Sequence, residues 1–269
     1  MIKVAVTGAS GKMGSRIIRL LAESPDLELC AAIERPGHPF IGRDAGGAAG
    51  LGPLNVAVSA DVDSAVAPAD VLIDFTEPSG AMGQIESAAR KGKAVVIGTT
   101  GFTEEQLSRI RALSKEGPCV LSPNMSVGVN ILFKLLRDVA RVTAEDYDVE
   151  IVEMHHRHKK DAPSGTAMKM AQILADALKR DLKTAGVYGR HGMVGERRKD
   201  EIGIQSLRGG DVVGDHTVIF AGPGERIELT HKAQSRDNFA RGALIAARWA
   251  VGRAPGLYDM QDVLGFGSP

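Results

Sequence analysis

Ile2-Lys3-Val4-Ala5-Val6-Thr7-Gly8-Ala9-Ser10-Gly11-Lys12-Met13-Gly14 opens the chain and decides how its first half is read. Ile2 to Val6 is an apolar, β-rich run that ends in a glycine turn. Met13, Ile17, Leu20 and Leu21 then recur at helical spacing until Ser24-Pro25-Asp26 breaks the pattern. A second β-rich run, Glu28 to Ile33, completes a strand-helix-strand unit. Glycines between a strand and the helix it feeds serve a tight turn, close backbone approach to a pyrophosphate, and close packing of helix on strand. The spacing is G-x-x-G-x-x-G, which departs from the commoner G-x-G-x-x-G and is weak as a bare string. Glu34 strengthens it, because an acid 20 residues beyond Gly14 at the end of the second strand can accept bonds from adenosine ribose hydroxyls. Arg35 beside it can pair with the extra phosphate of NADP, so the pair admits both NAD and NADP. Its bland alternative is a solvated pair at a strand end.

Working outward, Val56 to Val58, Val71 to Phe75, Ala94 to Ile97 and Cys119 to Leu121 read as further strands alternating with helical patterns as far as about Asn124. That alternation predicts a parallel sheet with crossover helices. Gly98-Thr99-Thr100-Gly101 and Ser122-Pro123-Asn124-Met125 follow two of these strands, at the carboxyl edge where such sheets bind ligands. They are read as lining a nicotinamide pocket, the alternative being plain turns. Pro36 to Pro53 lacks periodicity and reads as an irregular surface loop. Val127 to Val142 predicts a helix with Val127, Ile131, Leu135, Leu136 and Val139 on its apolar face, bridging to a second domain.

Beyond Asp148 the pattern changes. Val149 to Met154 alternates as a strand, Thr166 to Leu182 reads as a helix, and Ile202 to Leu207, Thr217 to Ala221 and Arg226 to Ala233 are further strands. Gly222-Pro223-Gly224-Glu225 suits a hairpin between the last two. The second domain is therefore expected to be α+β with a largely antiparallel sheet. The amphipathic helix Asn238 to Val251 is assigned back to the first domain. The expected division is 1–126 with 237–269 for the dinucleotide and 127–236 for the substrate.

Bulk properties fit this plan. The 269 residues exceed the usual single-domain size, and 43% hydrophobic with 25% charged residues is ordinary for a soluble globular chain. Thirty-three basic and thirty-three acidic residues cancel, which argues against nucleic acid or an anionic membrane as partner. Cys30 and Cys119 sit in apolar runs, so free thiols in a reducing, cytoplasmic setting are expected rather than a disulfide. Ile2 to Val6 lacks the features of a signal peptide, and no apolar run approaches the roughly 20 residues that cross a bilayer.

The chemistry concentrates in Glu153-Met154-His155-His156-Arg157-His158-Lys159-Lys160-Asp161-Ala162-Pro163-Ser164-Gly165-Thr166-Ala167. Positions 155 to 158 hold three of the chain's seven histidines, directly ahead of an expected helix start. A helix N-terminus offers unpaired amides and a positive dipole end, so Ser164, Gly165 and Thr166 can grip a carboxylate or phosphate. No metal site is expected, since further ligands are missing and Arg157, Lys159 and Lys160 would repel a cation. A histidine here can deliver a proton near neutral pH, and Lys159 can donate a proton or hold a carboxylate, with a solvated basic loop as the alternative. His38, His191, His216 and His231 default to structural or surface roles.

The string E-x-H-H-R-x-K-x-D-A-P-S-G-T-A, intact from Glu153 to Ala167, resembles that of the dihydrodipicolinate (4-hydroxy-tetrahydrodipicolinate) reductase family of lysine and diaminopimelate biosynthesis. Val4 to Gly8, Asp74-Phe75-Thr76, Val96 to Phe102 and Asp259 to Leu264 extend the resemblance over essentially the whole chain. It implies a Rossmann domain with a substrate and tetramerisation domain, a homotetramer, and reduction of a cyclic imine dicarboxylate by NADH or NADPH with net loss of water. It further implies His155 as proton donor and Lys159 as its catalytic companion. His156, Gly165, Thr166 and Arg236 would hold substrate carboxylates. Gly8, Ala9, Ser10, Gly11, Lys12, Met13, Glu34, Arg35, Gly98, Thr99, Thr100, Ser122, Pro123, Asn124 and Met125 would contact the dinucleotide. Lys12 stands where many relatives carry Arg, and Glu77 where some carry a basic residue near the 2′-phosphate. Both departures point to at least comparable use of NADH. Two rival readings are a dinucleotide-binding sensor without chemistry and an amino-acid dehydrogenase of related architecture.

Overall fold

The computed structural model describes residues 1–143 and 146–267. The chain forms two compact units, Met1–Val127 with Arg236–Pro269, and Gly128–Ser235.

The first unit is built on β1 (Ile2–Thr7), α1 (Gly14–Ala22), β2 (Leu27–Ile33), α2 (Ala45–Ala49), β3 (Val58–Ser59), α3 (Val62–Val66), β4 (Val71–Asp74), α4 (Pro78–Arg90), β5 (Ala94–Ile97), α5 (Glu104–Leu113) and β6 (Pro118–Leu121). α6 (Val127–Thr143) leads into the second unit, which contains β7 (Asp148–His155), α7 (Gly165–Ala177), α8 (Leu182–Ala185), β8 (Gly186–Val187), β9 (Ile202–Arg208), β10 (Gly214–Gly222) and β11 (Glu225–Ala233). The chain then returns through α9 (Asp237–Ala250), β12 (Gly256–Tyr258) and α10 (Met260–Val263).

Seven strands of the first unit form an all-parallel sheet in the order β12-β6-β5-β4-β1-β2-β3. Both faces are covered, which explains the unbroken apolar runs in the sequence. Val4, Val6, Ile73 and Val96 face Ile17, Leu21, Ala243 and Ala247 of α1 and α9. Their neighbours Ala5, Leu72, Val95 and Ile97 face the opposite way, into Ile85, Ile110 and Leu113 of α4 and α5. α9 lies close because residue 242 is glycine: a Cβ there would fall 1.7 Å from the Met125 carbonyl oxygen. The chain runs β1-β2-β3 in one direction and β4-β5-β6 in the other, so the order reverses between β1 and β4, the Rossmann arrangement.

In the second unit the order is β11-β10-β7-β9-β8. The long pairings of β10 with β7 and β11 are antiparallel, whereas β7–β9 and β8–β9 run parallel. Gly222 pairs with Glu225 across a Pro223-Gly224 turn, in which Gly224 takes φ +81°. Val149, Ile151, Ile202, Ile204, Val218 and Phe220 form the inner face, against Leu136 of α6 and Met170 and Leu174 of α7.

Four local expectations are corrected. Pro36 to Pro53 is not wholly irregular: the Asp44 carboxylate accepts from Gly46 N–H at 2.8 Å and Leu54 N–H at 2.9 Å, starting the short α2. Five small residues are too few to show a periodicity. The third strand is Val58–Ser59, because Val56 and Ala57 are drawn into that loop through Ala45 N–H to Val56 O and the bridge between Asp44 and Ala57. α6 buries Val129, Leu132, Phe133, Leu136 and Ala140, and leaves Ile131 41% and Leu135 43% exposed. Apolar residues cover more than one stripe of this helix, and the stripe carrying Phe133 has more surface to remove from water. α7 stops at Ala177 rather than Leu182 because Lys179 adopts φ 55° and Arg180 N–H closes on Ala175 O at 2.8 Å. A left-handed helix end without glycine leaves little trace in sequence.

Among the described residues, no helix is long and apolar enough to cross a membrane. Cys30 and Cys119 are free thiols, pushed up by burial to about 11 and about 12.

Candidate active site

In the first unit the candidate residues gather at the carboxyl edge of the parallel sheet. Gly8 follows β1 at φ +58°, a conformation that favours glycine, and its carbonyl accepts from Gly11 N–H at 2.8 Å. Ala9 N–H reaches Ile33 O at 3.2 Å, which ties the turn to the end of β2. The Ser10 N–H and hydroxyl both donate to Glu34 Oε1, at 2.9 and 2.6 Å. Burial opposes ionisation of Glu34, but these two donors outweigh it and hold the carboxyl below its usual range. Lys12 and Arg35 are exposed beside this cluster.

On the other side of the order reversal, the fully buried Asp74 accepts from the hydroxyls of Thr7 at 2.6 Å and Thr99 at 2.5 Å, and from Thr76 N–H at 3.2 Å. One carboxylate thereby joins the ends of β1, β4 and β5, and with them Gly98 and Thr100. The Ser122 hydroxyl donates to Asn124 O at 2.9 Å, which folds the Ser122-Pro123-Asn124 turn after β6. The Met125 side chain turns into the core.

The second unit supplies the acid-base cluster. Alternate residues of a strand share a face, so the side of β7 that buries Val149 and Ile151 continues into Glu153 and His155. Hydrophobic packing therefore drags two ionisable groups out of water where β7 ends. Glu153 is fully buried and accepts from His155 Nδ1 at 2.6 Å, from both Arg208 Nη atoms at 2.9 Å, and from Ser164 N–H at 3.2 Å. Burial works against its charge, but the guanidinium and imidazole prevail and hold the carboxyl at about 2. His155 is pushed below its usual value by burial, against the pull of Glu153.

Ser164 caps α7: its hydroxyl accepts from Ala167 N–H at 3.1 Å and lies 3.0 Å from His216 Nε2. Its side chain thus turns inward, and Gly165 is the exposed residue at the helix start. Lys159 is ion-paired to Asp161 at 2.9 Å on the connecting loop. His156 and Thr166 are half-buried on the same loop and first turn. Arg236 sits at the N-cap position of α9, in the first unit. Among the described residues, no group of three or more His, Cys, Asp or Glu could hold a metal ion.

Models of dihydrodipicolinate reductase match this chain in two parts, the N-terminus over residues 2–125 and the C-terminus over residues 128–264. The chain belongs to the dihydrodipicolinate reductase family. It is 55% identical to 4-hydroxy-tetrahydrodipicolinate reductase of Syntrophus aciditrophicus, with 100% of both chains covered. Identity to the enzyme of the same name from Geobacter metallireducens is 56%, over 98% of this chain and 99% of that one. A solved structure of dipicolinate-bound dihydrodipicolinate reductase from Paenisporosarcina sp. TG-14 superposes with a TM-score of 0.76 at 27% identity, covering 97% of this chain and 98% of that one. An amine dehydrogenase from Mycobacterium smegmatis, 15% identical with a TM-score of 0.60, covering 95% of this chain and 94% of that one, shares the fold.

Within this family member, two histidines first assigned to structural or surface roles sit beside candidate residues. His38 Nδ1 accepts from Phe40 N–H and its Nε2 lies 3.3 Å from the Ser10 hydroxyl, next to Glu34. His216 packs edge-on to His155, with ring centroids 5.1 Å apart. For His216 the signal is strand register: it pairs with Glu153 across β7 and β10, which the sequence separation conceals.

His216 also sets a stability prediction. Burial pushes it down to about 3, so it is neutral in the folded protein, whereas the unfolded chain protonates near pH 6.5. Its contribution is complete above that pH and is lost as pH falls toward the folded value. Between pH 7 and 5, the stability advantage of wild type over His216→Leu is expected to narrow by about 2 kcal/mol. Denaturant melts at both pH values measure it, and a constant gap would refute the assignment.

Proposed function

We infer that this chain reduces 4-hydroxy-tetrahydrodipicolinate to tetrahydrodipicolinate, with loss of water, for lysine and diaminopimelate synthesis. The observation that carries this reading is His155 clamped by a fully buried carboxylate at a helix start, within the family's own string. The cofactor is a nicotinamide dinucleotide, which supplies the hydride when bound. The turn fits such a group: Gly8 has positive φ, and residue 14 has no room for a Cβ, which would lie 2.0 Å from Gly8 O. Gly8 to Met13, Glu34, Arg35, Gly98 to Thr100 and Ser122 to Met125 would hold it.

His155 delivers the proton that quenches the electron density left on the reduced imine system. Lys159 is its companion. The amides of Gly165 and Thr166 at the positive end of α7, with His156 and Arg236, take the substrate carboxylates. The working form is a cytoplasmic homotetramer, a setting in keeping with two free cysteines. The test is spectrophotometric: NADH oxidation that depends on the product of dihydrodipicolinate synthase. Dinucleotide binding without turnover would favour the sensor reading, and aspartate oxidation the dehydrogenase reading.

NADH is expected to serve at least as well as NADPH. Glu34 is held ionised beside the ribose position, and Glu77, exposed after β4, adds a second negative charge to that edge. Arg35 partly offsets them. Steady-state kinetics with each cofactor measures the ratio of kcat/KM, and a hundredfold preference for NADPH would overturn this expectation.

A further inference from the structure

We propose that Glu153 and Arg208 are positioning residues that fix the His155 imidazole as its Nδ1–H tautomer, leaving Nε2 as the atom that exchanges protons with substrate. The role of Nε2 rests on the proposed function, whereas the tautomer rests on geometry alone.

A carboxylate offers about four lone-pair positions. Glu153 is saturated with donors: Oε1 takes Arg208 Nη2 and Ser164 N–H, Oε2 takes Arg208 Nη1 and His155 Nδ1, and the Ser206 side chain also bonds the carboxylate. Arg208 is always charged and donates only, as does a peptide N–H. Glu153 is thus ionised and accepts only, so Nδ1 must carry the hydrogen. The clamp is rigid because the guanidinium engages both oxygens of a buried carboxylate.

Two further observations give the clamp a purpose. A Cβ at Gly214 would lie 3.0 Å from His155 Nε2, so glycine there keeps the other ring nitrogen from being pressed. Arg208 Nη2 also donates to Asp161 O at 2.6 Å, and the Asp161 carboxylate pairs with Lys159. One guanidinium therefore sets both the imidazole and the loop that carries the lysine. Arg208 lies 53 residues after His155 and outside the family string.

The charged and titratable groups around His155 are Glu153 on its own strand, Arg208 on β9, His216 on β10 with His231 beyond it, and Lys159 with Asp161 on the loop. Glu153 favours the imidazolium, while Arg208 and Lys159 disfavour it. The two positioning residues therefore bias His155 in opposite directions, a signature that a merely structural role would not produce.

The experiment is 15N-edited NMR of histidine-labelled, full-length protein without ligands. Wild type should show His155 protonated on Nδ1 in its neutral form. Glu153→Gln should mix the tautomers and lower the His155 midpoint by about half a pH unit or more, and Arg208→Met should raise it by a similar amount. Arg208→Lys keeps the charge but loses the fork, so its midpoint should stay near wild type. In turnover, Glu153→Gln should lose about a hundredfold in kcat with dinucleotide KM unchanged. A wild-type Nε2–H tautomer, midpoints that move the same way in both variants, or full kcat in folded Glu153→Gln would each overturn the proposal. Should the variants fail to fold, as judged by circular dichroism, the wild-type tautomer decides alone. Because the spectra need no turnover, the expected tautomer in a chain that oxidises no NADH would sink the proposed function and spare the clamp.

Discussion

Replacing His155 with Ala is expected to lower kcat by about 10²–10⁴-fold, the usual contribution of a general acid, while dinucleotide affinity stays within about twofold. The two effects separate because His155 belongs to the core of β7, β9 and β10, whereas the glycine turn and Glu34 belong to the parallel sheet. Lys159→Ala should also cut turnover, less severely, since it removes a companion charge and keeps the imidazole. The pH dependence fixes the sign. A general acid must be protonated, and burial pushes His155 below its usual value. In the free protein the competent fraction therefore falls as pH rises through that lowered value, so kcat/KM should be higher at pH 6 than at pH 8. A bound dianion favours the imidazolium, which moves the limb of kcat to higher pH. Fluorescence titration of NADH and pH-rate profiles measure both. Loss of NADH binding with kcat intact would mean that His155 had been given the wrong task.

Much of the parallel sheet was legible because its signals are local. Val4, Val6, Ile73 and Val96 sit in short apolar runs, and the glycines between β1 and α1 mark where strand becomes helix. What escaped was whatever depended on tertiary choice. Nothing between Val127 and Thr143 says which apolar stripe is buried, because that depends on what β7 and α7 present to it. Lys179 ends α7 in a left-handed conformation that its side chain does not announce.

The same distinction applies to the candidate site. Glu153, His155, Lys159, Gly165 and Thr166 fall in one short string and were read together. Arg208 and His216 reach that string only through strand register, β9 beside β7 and β10 on its other edge. Ser164 shows the converse. Its type and position advertise an anion grip, yet the hydroxyl is used by the helix cap and His216. Asp74 reads in sequence only as part of the strand Val71 to Phe75, and in the fold it joins three strand ends.

Gly14→Ala is expected to have the largest effect on the first unit, although alanine is the better helix former by up to about 1 kcal/mol. A Cβ at residue 14 would lie 2.0 Å from Gly8 O, 2.7 Å from Gly8 C and 2.9 Å from Ala9 Cα. All three are backbone atoms, and Gly8 O is already committed to Gly11 N–H. The clash can be relieved only by opening the turn or lifting α1 from β1. Overpacking typically costs about 1–3 kcal/mol, which exceeds the propensity gain and corresponds to a Tm lower by roughly 2–10 °C. Dinucleotide affinity should fall more than tenfold, since the displaced carbonyl moves the amides proposed to hold the pyrophosphate. The His155 titration in the second unit should not move. Gly83→Ala is the matched control: it lies exposed within α4 with nothing within 4 Å of its Cβ, so the same exchange should raise stability by up to about 1 kcal/mol. Calorimetry of both variants separates propensity from packing. If Gly14→Ala melts at or above wild type, close approach at the turn is not what residue 14 provides, and the fit of a pyrophosphate there loses its main support.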